Sequence, residues 1–463
     1  MFQGRNSLNI DKQSFIAKQA KVIGEIITKH FSEQTITMMA AKSGFIKRSR
    51  KLSAPQFLNS LMFLTSNQAD TSLPDITADL YQQFSVDISK EGIHKKFSPQ
   101  AVSFLKEMIR SQLDERLKHP ARTELSKCFS AINIKDSSKF ALPDMYRGDY
   151  PGFGNFHKGQ GVMNIQYEYD LISGHWKTLE LTSIKTNDQQ ESRDSIHLIS
   201  KGELYIRDLG YVTPFYLKSI IEKRAFFLNR LPAQAIVRTS SGELIDWKQL
   251  DRKFKKTSAS QLDLDVQIYE HEPVACRMIV ERVDDKLYRE RIRQAEQSAK
   301  RHGVGLTEKH KIRCRYNTFI TNVDRESLQA EMVRRVYYLR WQIELVFKTW
   351  KSNLQINKLK KVKKERLECQ LLAKLLWALL NWKLLQCCNN HIEARNNGIG
   401  VSTLKFFKRC LVLSNTLRLV VRKKLSLRFW LTDIFLPLIQ NTACEPPVSK
   451  TTHFETLHQL GLS

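Results

Sequence analysis

Two short segments of this sequence end in the same pattern, and that pattern constrains the fold more than any other feature. Residues 132–136 read INIKD and residues 204–208 read LYIRD. In a β-strand, each aspartate would continue the face formed by the aliphatic residues before it, and a carboxylate in line with a buried face needs a partner. A single aspartate at a strand end is usually a turn or cap residue. Two aspartates that continue the apolar faces of their strands in the same phase predict core strands that bring these acidic groups close together.

The surrounding pattern predicts an α/β core with a mixed sheet and flanking helices. Residues 161–182 alternate on both sides of a Ser-Gly-His turn, which indicates a β-hairpin. A polar helix is expected over residues 188–200, and Thr213-Pro214 opens another. Residues 233–239 are expected to form a third core strand.

A β-rich insertion is expected after that core. Residues 262–268 alternate, residues 275–283 are strand-like, and residues 284–301 predict a charged helix. Residues 316–321 read YNTFIT, which predicts a strand that leads into the next helix.

That next helix, residues 337–351, has two faces at about 100° per residue. One is an apolar stripe of Val336, Leu339, Ile343, Val346 and Trp350. The other is a narrow polar arc of Tyr337, Arg340, Glu344, Lys348 and Lys351. The arc is either an exposed charged face with an Arg340–Glu344 ion pair or a site where one carboxylate acts among cations.

The terminal regions are expected to be helical and basic. A short helix over residues 89–97 carries Lys95 and Lys96 and resembles the groove-reading helix of a helix-turn-helix. Residues 401–440 also have helical periodicity. Near the N-terminus, a basic run is expected to contact phosphate through Lys47, Arg48, Arg50 and Lys51.

Charge and cysteine usage limit the class of protein. Lys and Arg number 74 against 47 Asp and Glu, and the net charge of +27 implies a polyanionic partner, first of all nucleic acid. The eight cysteines form no CxxC pair, so a reduced, cytosolic chain without a zinc site or disulfide framework is expected. The N-terminus has no apolar signal core, and the apolar run at residues 371–388 is interrupted by Lys374, Asn381 and Lys383. A buried helix is therefore expected there rather than a membrane span.

Three carboxylates, Asp136, Asp208 and Glu344, are the candidate site. Carboxylate oxygens hold hard divalent cations. Two such cations about 3.5–4 Å apart activate water and stabilise the leaving oxygen in phosphodiester cleavage. Arg340 suits forked contact with phosphate, and Lys351 supplies a point charge.

The spacing Tyr337-x2-Arg340-x3-Glu344-x6-Lys351 resembles the Tyr-Arg-Glu-Lys signature of the insertion sequence four family of bacterial DDE transposases. Three shorter motifs resemble that family in the same order, namely Asp136-Ser137-Ser138, Asp208-Leu209-Gly210-Tyr211 and Phe319-Ile320-Thr321-Asn322. They resemble its first catalytic aspartate, its second, and the strand before its third carboxylate. Ser138 stands where threonine is usual, and the aspartate itself is intact.

The resemblance implies an RNase H-like core in which Asp136, Asp208 and Glu344 are catalytic and bind two Mg²⁺ ions, with Mn²⁺ as a substitute. It implies cleavage and strand transfer on double-stranded DNA, at the terminal inverted repeats of an insertion sequence and at a target, by a homodimer on paired ends. The protein would act at the bacterial nucleoid, in the cytoplasm and away from membranes. Some family members hold a flipped base with an aromatic residue of the insertion, and Tyr316, Tyr288 and Trp247 all stay open for that role.

The expected domains follow from these elements. They are a helical DNA-end-binding domain at 1–120, catalytic core at 121–239 and 316–390, the β-rich insertion at 240–315, and a helical C-terminal region at 391–463 suited to dimerisation. Two alternatives remain at this stage. One is a basic DNA-binding regulator whose acidic residues only cap strands, and the other is an RNase H-like nuclease or resolvase without strand transfer.

Overall fold

The computed structural model describes residues 20–46, 51–67, 71–113, 127–152, 160–185, 188–232, 235–257, 259–393 and 400–445. Its centre is one mixed sheet built from β1 (Ala131–Leu142), β2 (Gly161–Asp170), β3 (Trp176–Ser183), β4 (Glu203–Arg207), β5 (Phe226–Arg230), β6 (Val237–Thr239), β7 (Gln261–Ile268), β8 (Val274–Arg282) and β9 (Tyr316–Thr321). The strand order is β3-β2-β1-β4-β5-β9-β8-β7-β6. The β1–β4 and β4–β5 pairs are parallel, and the other adjacent pairs of this sheet are antiparallel.

The helices fall into three groups along the chain. The N-terminal group is α1 (20–31), α2 (Glu33–Lys42), α3 (Ala54–Asn67), α4 (Leu73–Phe84), α5 (Lys90–Lys96) and α6 (Pro99–Leu113). The group within the sheet region is α7 (Asp188–Asp194), α8 (Pro214–Glu222), α9 (Trp247–Thr257), α10 (Asp285–Arg301), α11 (Glu308–Cys314), α12 (Ala330–Tyr338) and α13 (Trp341–Ser352). The C-terminal group is α14 (Lys364–Glu393), α15 (Thr403–Val412), α16 (Ser414–Val421), α17 (Leu427–Phe429) and α18 (Leu436–Thr442), with a small pair of strands, β10 (Gly400–Val401) and β11 (Cys444–Glu445).

Different helices cover the two faces of the sheet. Ile134, Ile206 and Leu228 belong to a core that includes buried residues of α13, α14 and the N-terminal helices. Tyr205 and Phe227, at the alternate positions, belong to a second core with residues of α8 and α9. The period of two along each strand therefore builds a three-layer α/β arrangement.

The third core strand is β5, at Phe226–Arg230, so the prediction of that strand at residues 233–239 was wrong. Residues 233–234 lie outside the described residues, and Val237–Thr239 forms β6, which pairs with β7 at the far edge of the sheet. A central parallel strand is buried on both faces and has a continuous apolar run instead of an alternating one. Phe226, Phe227 and Leu228 form such a run, which the alternation rule does not detect.

The terminal helices and the insertion are packed onto the core. Helices α3 and α6 pack against α14, and Arg418 of α16 donates to both oxygens of Asp79 in α4, at 2.6 and 2.7 Å. Strand β9 lies between β5 and β8, so the strands of the predicted insertion extend the same sheet. Within α14, Lys364–Cys388 is long and apolar enough to cross a membrane, but 94% of its apolar window is buried in the protein. This agrees with the buried helix predicted at residues 371–388.

Candidate active site

Asp136 and Asp208 occupy equivalent places in neighbouring parallel strands. The β1–β4 pairing ends with Lys135 opposite Arg207, so each aspartate is the next residue along the chain after that last register pair. By the period of two, both lie on the face of Ile134 and Ile206. The structure thus brings together the two aspartates that the shared sequence pattern singled out.

Strand β1 does not stop at Asp136, contrary to the sequence prediction. It continues to Leu142, because residues after Lys135 keep pairing with β2, with Asp136 opposite Tyr167 and Ser137 opposite Gln166. What ends at Lys135 is the pairing with β4. Asp208, in contrast, does lie at a strand end, before a single helical turn at Leu209–Tyr211.

The turn after Asp208 is tightly packed against α7. A β-carbon added at Gly210 would lie 2.8 Å from a carboxylate oxygen of Asp188. The Tyr211 hydroxyl donates to Gln166 at 2.6 Å. A glycine at 210 therefore allows the close approach that fixes the backbone behind Asp208.

The predicted helix at residues 337–351 is split into α12 and α13. Around the junction, the amides of Leu339, Arg340, Gln342 and Ile343 bond to carbonyls three residues earlier instead of four. Such tightening changes the rotation per residue. The predicted apolar stripe is buried throughout, but Tyr337 differs from the prediction, because it is only 7% exposed and its ring lies 5.2 Å from that of Phe319 in β9.

Arg340 links the helix to the sheet. Its Nη1 donates to Asp136 at 3.0 Å and its Nη2 donates to Glu344 at 2.7 Å. The Arg340 and Asp136 side chains are 16% and 19% exposed, and that of Glu344 is 33% exposed. Asp208 accepts no side-chain hydrogen bond from any residue that the structure describes.

The pKa of Asp136 reflects its burial and the charges around it. Burial raises the pKa of Asp136 to about 6, while the Ser137 amide and Arg340 act against that rise. The negative charges of Asp208 and Glu344 both add to the increase in the pKa of Asp136. Burial also raises the pKa of Tyr337 to about 12, with Asp208 contributing. Tyr337 is therefore a neutral phenol at physiological pH.

The donor set fits a hard cation by its chemistry, since Asp136, Asp208 and Glu344 supply only carboxylate oxygens. In the described part of the chain, however, no group of three or more His, Cys, Asp or Glu side chains is close enough together to hold a metal ion. The Arg340 guanidinium lies between Asp136 and Glu344. Holding a cation there requires that guanidinium to leave the space between them.

None of the other predicted basic residues that the structure describes forms an ion pair with the three carboxylates. Lys348 is exposed and Lys351 is half-buried, and neither forms an ion pair with a described residue. Lys95 is exposed and Lys96 half-buried on α5, where the Ser89 hydroxyl caps the helix by accepting a hydrogen bond from the Gly92 amide. Lys51 is exposed. The predictions for Lys47, Arg48 and Arg50 fall outside the described residues.

Arg230 is a candidate that the sequence analysis missed. Register between β4 and β5 places Ile206 opposite Leu228, so Arg230, two residues on, lies beside Asp208 on the same face. It is exposed and forms no ion pair within the described residues. The signal was present in the sequence, because Phe226, Leu228 and Arg230 repeat the phase of the two aspartate segments.

A basic groove leads away from this edge of the sheet. Its volume is about 810 Å³, and it is bounded by α10, α11 and the end of β5. Leu209 and Arg230 line the end nearest Asp208, and Arg291, Lys309 and Arg313 line the remainder. No acidic residue is among the described residues that line it.

The three aromatic candidates for base contact differ in accessibility. Trp247 is 5% exposed beneath Arg313, and Tyr316 is 3% exposed with its hydroxyl bonded to Asp251. Tyr288 is half-buried, with the guanidinium of Arg315 4.5 Å from its ring centre. Tyr288 is therefore the least buried of the three.

Comparison with known proteins adds a family match. The model of the family described as "Transposase DDE domain" matches residues 129–380. That range contains Asp136, Asp208 and Glu344. It also contains β9 and the strands of the predicted insertion.

Alignments with curated relatives cover most of the chain. The transposase for insertion sequence element IS231B of Bacillus thuringiensis subsp. berliner is 28% identical over 379 residues, or 78% of this chain and 79% of that protein. The transposase for IS231E of Bacillus thuringiensis subsp. finitimus is 27% identical over 379 residues, with the same shares. The transposase for IS1151 of Clostridium perfringens is 27% identical over 383 residues, 79% of this chain and 80% of that protein.

Proposed function

The chain belongs to the DDE transposase family and is an insertion-sequence DNA transposase, and from this premise we propose that Asp136, Asp208 and Glu344 are its catalytic carboxylates. The observation that carries the proposal is the position of the two aspartates, side by side after the last β1–β4 register pair. Glu344 joins them through the shared contact with Arg340. Family membership favours this assignment over a regulator without chemistry.

DDE transposases use divalent metal ions, and we propose Mg²⁺, two ions per site, with Mn²⁺ as a substitute. Asp136, Asp208 and Glu344 would hold them. When bound, they would provide activation of the attacking water or 3′ hydroxyl group and stabilisation of the leaving oxygen in phosphodiester chemistry. Asp136 must be ionised to act as a ligand, so a bound cation has to displace the proton that burial favours on this carboxyl in the metal-free site.

The residues of the polar arc would hold the DNA backbone. Arg340 exchanges its carboxylate partners for a phosphate, which its guanidinium contacts in a fork. Tyr337 stays protonated and donates a hydrogen bond from its hydroxyl. Lys348 and Lys351 act as point charges further along α13. Positioning of the phosphodiester and neutralisation of its charge are then supplied by this helix.

Arg230 and the basic groove would hold a strand on the other side of Asp208. Arg230 is exposed and free of ion pairs with described residues, so a phosphate does not have to displace a protein carboxylate from it. The lining of the groove contains arginine and lysine without a described acidic residue. This charge distribution suits a polyphosphate backbone.

The remaining assignments follow the sequence expectations. Helices of residues 1–120, with Lys95 and Lys96 on α5 and the basic run Lys47, Arg48, Arg50 and Lys51, would bind terminal inverted repeats. Residues 240–315 would be the insertion between core parts 121–239 and 316–390, and residues 391–463 would support a homodimer on paired ends. The protein would cut and join double-stranded element and target DNA at the bacterial nucleoid.

The test is metal-dependent cleavage of DNA that carries the element's own ends. Asp136→Asn, Asp208→Asn and Glu344→Gln should each abolish cleavage and leave end binding largely intact, because basic residues supply most of the affinity for DNA. Asp144→Asn, at an exposed aspartate, is the matched control. Cleavage near the wild-type rate in any one of the three variants would remove that residue from the site.

A further inference from the structure

A row of buried charged residues lies behind the two aspartates, on the opposite face of the sheet. Lys135 of β1 is in register with Arg207 of β4 on one side and with Glu168 of β2 on the other. All three are completely buried, at 0% exposure. Because Lys135 and Arg207 each precede a proposed catalytic aspartate by one residue, they point to the other face of the strands.

The members of this row are bonded to one another. Arg207 Nη2 donates to the two Glu168 carboxylate oxygens, at 3.1 and 3.3 Å. Lys135 Nζ lies 3.8 Å from Glu168 and donates a hydrogen bond to Glu191 of α7. Two cations thus meet two carboxylates across three strands and one helix. We call Glu168, Lys135, Arg207 and Glu191 the buried charge row.

Arg207 is also held by neighbours outside the row. Its guanidinium carbon lies 4.5 Å from the centre of the Tyr216 ring, and its Nη1 donates to the Ser195 hydroxyl at 3.3 Å. Its backbone carbonyl accepts a hydrogen bond from Asn229 of β5 at 2.8 Å. The residue before Asp208 is therefore fixed to α8, to the segment after α7 and to the next strand.

Stability alone does not account for such a row. Removing charges from water is unfavourable, and apolar residues of similar volume often stabilise a core equally well. An ionic row does specify register, because a one-residue shift of β4 against β1 would turn Arg207 toward the apolar face and Asp208 away from the site. Register is also what decides whether the carboxylates of Asp136 and Asp208 lie side by side.

We propose that the buried charge row is a positioning device for the transposition reaction: it holds β1 and β4 in the register that places Asp136 and Asp208 side by side. The inference rests on the proposed function of the three carboxylates. Glu168, Lys135, Arg207 and Glu191 act through the strands and touch neither metal nor DNA. Their loss should therefore alter metal affinity and cleavage more than the stability of the chain.

The test compares two charge-balanced double variants of the full chain. Glu168→Leu/Arg207→Met removes one cation and one anion of the row and leaves Lys135 with Glu191. The control, Asp263→Leu/Arg277→Met, removes another ion pair of the same sheet, in which Arg277 is 5% exposed, Asp263 is half-buried and the two side chains lie 2.5 Å apart. Mn²⁺ affinity is measured by electron paramagnetic resonance on protein bound to element-end DNA, beside thermal melts and single-turnover cleavage.

The row variant should melt cooperatively but bind Mn²⁺ more weakly and cleave more slowly, each by about tenfold or more. The control should keep wild-type metal affinity and rate even where its melting temperature falls. Arg207→Lys, which keeps the charge without the forked contact, should lie between the wild type and the double variant. It also serves as the test if the double variant does not fold.

A folded row variant with wild-type Mn²⁺ affinity and rate would overturn the positioning role and leave the catalytic assignment intact. If the double variant does not fold, wild-type Mn²⁺ affinity and cleavage rate in Arg207→Lys would overturn the positioning role in the same way. An equal loss in the control would also overturn it, by showing a general effect of the sheet. A wild-type protein that binds no Mn²⁺ on its own element ends would instead overturn the proposed site, and the inference would fall with it.

Discussion

The Arg340 guanidinium donates a hydrogen bond to the Asp136 carboxylate at 3.0 Å, although 204 residues separate the two in the chain. The same side chain bonds Glu344, four residues away on its own helix, at 2.7 Å. One cation therefore offsets the repulsion between carboxylates contributed by the sheet and the helix. Arg340 also becomes the first group that must move when a metal or a phosphate enters this space.

Arg340→Ala should reduce single-turnover cleavage of an element end by about 100-fold at metal concentrations that saturate the wild type, because no guanidinium then stabilises the phosphate in the transition state. Arg340→Lys should restore only part of the rate, since an ammonium group does not reproduce the forked contact. The matched control is Arg334→Ala on the preceding helix, α12, which removes an ion pair with Glu281 of β8. Folded Arg340 variants with unchanged rates would mean that the polar arc is an ordinary charged surface.

Asp136 should make folding stability depend on pH. Burial raises its pKa from 3.8 to about 6, so the folded chain binds this proton more tightly than the unfolded chain does. The resulting stabilisation is fully present below about pH 3.8 and is lost as the pH rises through about 6. Asp136→Asn cannot ionise, so its stability relative to the wild type should increase by about 3 kcal/mol between acidic and neutral pH.

The measurement is denaturant unfolding of both proteins, without metal or DNA, across that pH interval. Asp144→Asn at an exposed aspartate provides the control and should follow the wild type at every pH. A difference between Asp136→Asn and the wild type that stays constant with pH would show that Asp136 titrates in the same way in the folded and unfolded chains.

The parts of the site that follow a fixed period are predictable from sequence. Asp136 and Asp208 continue apolar faces of period two, and Glu344 lies on the polar side of a helical stripe whose five members are all buried. The strand β5 was missed because a strand buried on both faces does not alternate. Arg230 was missed with it, although it has the same phase as the aspartates.

Other features have no local signal. The tightened turn between α12 and α13 contains neither proline nor glycine, and it places Tyr337 against Phe319 of a distant strand. The pairing of Lys135 with Arg207 and Glu168 depends on strand order and register. In sequence, these charged residues look like the polar positions of half-exposed strands, and only the sheet shows that they are buried on the second face.

Lys95 and Lys96 should contribute electrostatic affinity for element ends. Replacing both by alanine in the full chain should weaken end binding and reduce the slope of log affinity against log salt by about one for each phosphate that the two lysines neutralise. Lys201→Ala, at the end of β4 opposite to Asp208, should leave the slope unchanged. A slope that is the same in the double variant and the wild type would place end binding on other residues.

Arg230 provides the last prediction, because its position beside Asp208 separates positioning from general attraction of DNA. Arg230 is one of 74 lysine and arginine residues in the chain, so Arg230→Ala should change overall DNA affinity little. If Arg230 holds a phosphate next to the proposed catalytic aspartate, the cleavage rate should instead fall by about tenfold to 100-fold, since small displacements of the reacting phosphodiester are enough for such a loss. Arg230→Lys should recover part of the rate, and Arg238→Ala, at a partly exposed arginine of β6 paired with Glu270, should keep the wild-type values. Single-turnover cleavage measured beside equilibrium binding of the same DNA distinguishes the two roles: equal losses in both would make Arg230 one more surface cation, whereas a loss confined to cleavage would assign it to the active-site edge.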